Sequence, residues 1–91
     1  MRYFIGNWKM FGVPKSINIL NKINSFYSKD KNRNKYRVII TPPYTLIETF
    51  SKYFKSKKIS IGSQNCYQKD QFSSNTAAIS PYMLRSVGAK Y

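Results

Sequence analysis

The chain has 91 residues, enough for one small domain that buries proportionally little surface and is only marginally stable. Sixteen basic residues against three acidic ones give a net charge of +13, while 42% hydrophobic content is too high for a disordered segment. Apolar runs of only a few residues exclude a membrane-spanning helix, and the absence of histidine beside a single cysteine, Cys66, excludes an internal disulfide and a metal cluster.

At the N-terminus, Arg2 is followed directly by strand-like residues with no apolar signal-peptide core, so the expected compartment is the cytoplasm. Residues 2–10, RYFIGNWKM, read as a strand. Pro14 then opens a helix in which Ile17, Leu20, Ile23 or Asn24, and Tyr27 recur three or four apart, with Ile19 and Phe26 widening the stripe. The polar run SKDKNRNK is a connection. YRVII, rich in β-branched residues and stopped by Thr41-Pro42-Pro43, reads as a second strand. From Tyr44, the spacing of Leu46, Ile47, Phe50, Tyr53 and Phe54 predicts a helix with one apolar face. KISIGSQ reads as a third strand, and a long polar loop runs from Asn65 to Ile79. Ser80 can cap a third helix, Pro81 suits its first turn, Met83, Leu84 and Val87 form its apolar stripe, and Gly88 ends it.

The resulting order, βαβαβα, predicts an α/β fold of parallel strands joined by right-handed crossovers and covered by helices. Three such units make a poor complete domain, because both sheet edges and much of one face stay uncovered. The expectation is therefore the N-terminal part of one larger domain, residues 1–91, interrupted before a fourth strand at Ala89-Lys90-Tyr91.

The positive charge raises nucleic acid as a partner, supported by eight tyrosines and six phenylalanines. The basic residues, however, are scattered over connections: Lys29, Lys31, Arg33 and Lys35 in one polar loop, and Lys55, Lys57 and Lys58 around a helix-to-strand turn. They read better as solvated surface, and a stand-alone nucleic-acid module is the alternative reading only.

More informative is GNWKMFG, Gly6 to Gly12. Alternation along a strand puts Tyr3, Ile5, Asn7 and Lys9 on one face and Phe4, Gly6, Trp8 and Met10 on the other. If the aromatic face packs on helices, Asn7 and Lys9 share the opposite face at the strand's C-terminal end, where parallel α/β folds build their sites. A lysine buried there calls for an anionic ligand, and a lysine snorkelling into solvent is the competing reading.

GNWKMFG, followed by ITPPYTLI, IGSQNCY and ISPYMLRSVGAKY, resembles in order and spacing the first three strand–helix units of the triosephosphate isomerase family. The resemblance implies the first three βα units of a (β/α)8 TIM barrel, incomplete here, and an enzyme that interconverts dihydroxyacetone phosphate and glyceraldehyde 3-phosphate. It implies no cofactor, and a homodimer in the full-length protein. This family is itself a standard example of tuned acid–base chemistry, with a glutamate base, a neutral histidine and a closing loop. By resemblance Lys9 is the catalytic and substrate-binding cation, and Asn7 a substrate-binding residue.

Other family parts have no counterpart here. The histidine of its Gly-His-Ser-Glu stretch would fall just past Tyr91, and no acid in this sequence matches the base; Glu48 reads as a surface residue. Assayed alone, the chain is expected to be inactive, unstable and prone to aggregation. Two departures concern the implied dimer contact. Phe11 stands where the family usually has a small or polar residue, and FSSNTAAIS replaces a loop that usually reads Thr-Gly-Glu before Ile-Ser. Thr76 keeps its place there, while Ala77 and Ala78 replace the glycine and the acid. Cys66 is expected to be buried or half-buried, and Gln64 and Tyr67 to be packing residues.

Overall fold

A computed structural model describes residues 1–55 and 58–91; Lys57, assigned above to a basic turn, lies outside the described residues. Three parallel strands, β1 (Arg2–Asn7), β2 (Tyr36–Thr41) and β3 (Ser60–Ile61), form one sheet in the order β1-β2-β3. The helices α1 (Ile17–Lys29), α2 (Tyr44–Tyr53) and α3 (Pro81–Ser86) alternate with them. The register sets Gly6 beside Ile40 and Asn7 beside Thr41 across β1–β2, and Ile40 beside Ile61 across β2–β3. Past α3, Lys90 donates its amide to Ile61 at 2.9 Å and Tyr91 accepts from Ser63 at 2.8 Å. The last residues thus run alongside β3, where a fourth strand was expected to begin.

Local chemistry explains most boundaries. Pro14–Ser16 form a 3-10 turn into α1, with the Ser16 hydroxyl accepting from the Val13 amide at 3.0 Å. Asp30, just past the end of α1, opens the connection to β2 by accepting the Asn32 amide at 2.8 Å, and Tyr27 donates its hydroxyl to the carbonyls of Arg33 and Tyr36. Ser80 caps α3 as expected, accepting from the Met83 amide at 3.2 Å.

Leu20, Ile40, Leu46, Ile47, Phe50, Phe54, Ile59, Ile61, Leu84 and Ala89 form the core between the helices and one face of the sheet. Trp8 packs onto it edge-to-face with Phe50, ring centroids 5.6 Å apart. Three expectations fail on burial. Ile19 and Phe26, seven residues apart on one flank of α1, are exposed because no described element covers that flank, and Tyr53 is half in solvent. The opposite face of β1 is also open, with Tyr3 and Ile5 55% and 62% exposed. That face curls nonetheless: Tyr3 meets Tyr91 at a centroid distance of 6.5 Å, although one runs on β1 and the other beyond β3. Neighbouring strands sit about 4.8 Å apart, so a flat sheet would hold these two far apart, and a concave one brings them together.

Candidate active site

Because the strands are parallel, Asn7, Thr41 and Ile61 all lie at one end of the sheet, and the segments that follow them meet there. β1 ends at Asn7 and not at Met10, as the sequence suggested. The last contact of its backbone with β2 is the Trp8 amide to the Thr41 carbonyl, at 3.1 Å. Lys9 then turns out of the sheet with φ +55°, a left-handed conformation that costs a side-chain-bearing residue about 1–2 kcal/mol. Strand alternation therefore stops before Lys9, and its side chain is exposed where a buried one was considered. Among the described residues three strands form this sheet, and they leave the Lys9 side chain in solvent.

Two side chains hold the strained turn. The Asn7 side-chain oxygen Oδ1 accepts from the Lys9 amide at 2.8 Å, a local turn of the kind asparagine favours. From beyond β3, Gln64 Nε2 donates to the Lys9 carbonyl at 2.8 Å and to the Thr41 carbonyl at 3.0 Å. Gly12, at φ +117°, closes the loop over Trp8: a Cβ there would lie 2.8 Å from two indole carbons. Asn7 and Lys9, both picked out by sequence, are thus directly joined. For Gln64 the sequence predicts only a packing role. Its signal in the sequence was weak: an amide two residues past a glycine, at the end of a strand, long enough to reach the neighbouring strand ends.

The other candidates stand apart from this pair. Phe11 is 73% exposed and Thr76 is exposed, and among the described residues neither is hydrogen-bonded to Asn7 or Lys9. Beside Thr76, Ala77 has φ +64°, a backbone conformation that suits the glycine usual in the related loop. Cys66 is exposed, contrary to the expected burial, because the chain has already left the sheet at Gly62. Glu48 is a surface residue as expected, paired with Lys52 at 2.8 Å one helical turn along α2. Among the described residues no group of three or more acidic or sulfur ligands gathers for a metal, and no helix is long and apolar enough to cross a membrane.

At the open end of a curled parallel sheet, this arrangement offers an exposed lysine whose backbone is held in a tethered turn. A cation of this kind can bind an anionic substrate and stabilise negative charge developing on it.

Comparison with known proteins bears on the family of the chain. Residues 2–91 match the family described as triosephosphate isomerase. The triosephosphate isomerase of Wigglesworthia glossinidia brevipalpis is 38% identical over 88 residues, covering 96% of this chain and 33% of that protein. That of Prochlorococcus marinus strain MIT 9515 is 38% identical over 87 residues, covering 94% of this chain and 35% of its own length. The crystal structure of triosephosphate isomerase from Bartonella henselae superposes with a TM-score of 0.87 at 30% identity, over 99% of this chain and 35% of that one. The chain therefore spans about a third of the length of the relatives it matches. Its three strand–helix units correspond to part of a TIM barrel, and the chain belongs to the triosephosphate isomerase family.

Proposed function

We propose that these residues form the N-terminal part of a single triosephosphate isomerase domain, in which Lys9 is the catalytic cation and Asn7 helps to bind substrate. The observation that carries this reading is the exposed ammonium of Lys9, on a left-handed turn fixed by Asn7 at the C-terminal end of the strands. The substrate is a triose phosphate. Moving a proton between its adjacent carbons builds negative charge on an enediolate oxygen. A lysine held in place beforehand meets that charge without reorganising, and such stabilisation is often the largest catalytic contribution. No cofactor is required for this chemistry. The sequence has no histidine to polarise the carbonyl and no acid matching the family's base, so these 91 residues do not supply the proton transfer itself. Assayed alone, the chain is inactive.

The full enzyme acts in the cytoplasm as a homodimer. In that dimer Phe11 and the loop around Thr76 meet the partner subunit, and their present exposure fits that role.

The test is to replace the corresponding third of a full-length relative with residues 1–91 and assay interconversion of dihydroxyacetone phosphate and glyceraldehyde 3-phosphate. Activity is expected in the graft, with Lys9→Gln lowering kcat about 100-fold or more. A folded graft without activity, or one indifferent to Lys9→Gln, overturns the reading. Activity in the 91-residue chain alone, above buffer, overturns the expectation that it is inactive.

A further inference from the structure

We infer that Gln64 is a positioning residue for Lys9, holding the backbone of the catalytic cation through its side-chain amide. This rests on the isomerase reading for its consequence, but the tether itself is a matter of geometry. Lys9 lies outside the ladder, and its left-handed backbone relaxes unless something holds it. Both of its peptide groups are held by side chains: the amide by Asn7 Oδ1 at 2.8 Å, and the carbonyl by Gln64 Nε2 at 2.8 Å. Asn7 holds the turn from within β1, two residues back. Gln64 comes from 55 residues further along the chain, so it refers Lys9 to the far side of the sheet, beyond β3.

The second proton of the same amide goes to the Thr41 carbonyl, which already accepts from the Trp8 amide. One side chain therefore ties together the ends of all three strands. Two neighbouring carbonyl oxygens call for a double donor, and a primary amide supplies it without charge. Arginine or lysine would also donate twice, but would place a second cation beside Lys9. Glutamate would set an anion against two acceptors, and methionine would fill the volume with no donor at all. Gln64 is thus the neutral solution for a cation that must stay available to an anionic ligand.

The tether is tested first in the wild-type grafted barrel by side-chain amide proton exchange in NMR. The Gln64 side-chain protons are expected to exchange at least 10-fold more slowly than those of the exposed Gln68 and Gln71, which serve as internal controls. Exchange as fast as in those two overturns the proposal, whatever the chain's activity. In the grafted barrel, Gln64→Met is expected to lower kcat about 100-fold with a smaller change in KM, since misplacing a reacting group by about 1 Å costs that much. In a Lys9→Gln background the same substitution is expected to have little further effect, because the two residues act as one unit. A second full loss there would mean a structural role, and would overturn the inference. If the wild-type graft is inactive, the isomerase reading fails by itself, and the exchange rates alone decide whether Gln64 holds Lys9.

Discussion

Gly88 ends α3 directly against Ser51 of α2: a Cβ at position 88 would lie 2.5 Å from the Ser51 Cβ and 2.7 Å from its hydroxyl. The glycine also has φ +103°, so space and backbone both demand it. This contact sets how closely α3 lies on α2, and so where the chain returns to run beside β3. Gly88→Ala is expected to lower stability by about 2–4 kcal/mol, combining backbone strain with overpacking. A denaturation midpoint unchanged by Gly88→Ala would refute the contact. Ser51→Ala removes a buried hydroxyl that has no hydrogen-bond partner among the described residues, and is expected to be neutral or slightly stabilising. It should not rescue Gly88→Ala, because the closest clash is with the Cβ.

Ala77 gives the opposite test, a position where glycine is missing. Its φ of +64° lies in the left-handed region, and the residue is exposed, so no packing offsets the strain. Ala77→Gly relieves about 1–2 kcal/mol of conformational cost and adds back about 0.5–1 kcal/mol of unfolded-state entropy. A net gain of about 0.5–1 kcal/mol is expected, seen as a higher denaturation midpoint with unchanged slope. Loss of stability instead would mean that the loop around Thr76 does not hold this conformation in solution.

The sequence exposed the alternation of elements because hydrophobic period and capping chemistry are local. Leu46, Ile47 and Phe50 on α2, and Ser80 at the start of α3, behave as their spacing implied. Asn7 and Lys9 were legible too, since a polar pair ending an apolar strand breaks its pattern. Their geometry was not. The left-handed turn at Lys9 depends on an acceptor two residues back and a donor 55 residues on, and no local pattern encodes the second. Exposure of Ile19 and Phe26 was equally hidden, because periodicity tells which side of a helix is apolar but not what lies against it. The short β3 has the same origin: KISIGSQ has strand composition, yet beyond Gly62 the Gln64 side chain, and not its backbone, bonds to β2.

Tyr36 and Asp30 provide a pH signature of the turn between α1 and β2. The Tyr36 hydroxyl donates to Asp30 Oδ2 at 2.5 Å, and this hydrogen bond is the first cause holding the Asp30 carboxyl below its ordinary 3.8, followed by the bond from the Asn32 amide. The same bond, then burial, pushes Tyr36 up to about 12 from 10.0. For Asp30, whose folded value is depressed, the stabilisation is present above the unfolded value and is lost as pH falls through the folded one. For Tyr36, whose folded value is raised, it is present in full below 10.0 and disappears as pH rises through about 12. A tyrosinate absorbance titration is expected to show a late step that Tyr36→Phe removes and Asp30→Asn moves back towards 10.0. Tyr44, raised by burial and then by the Coulombic influence of Cys66, also titrates late, and neither substitution should shift it. A titration curve indifferent to Asp30→Asn would rule out the pair.

The open face of β1 predicts how the chain behaves by itself. Ile5 is 62% exposed beside Tyr3, and among the described residues β1 pairs only with β2, so its other edge presents unpaired backbone groups next to apolar side chains. Such an edge templates association with a second chain, and an inward-facing charge is a common device against it. The isolated chain is expected to associate with rising concentration, as read by sedimentation velocity or light scattering. Ile5→Lys should weaken that association at least 10-fold, while shifting the melting midpoint little, because so exposed a side chain gives up little buried surface. The high net charge of +13 opposes association at low salt, so the contrast between Ile5→Lys and the parent chain should widen as salt screens the repulsion. If instead the chain stays monomeric at high salt and melts in one sharp step, the exposed face and edge of β1 do not drive association.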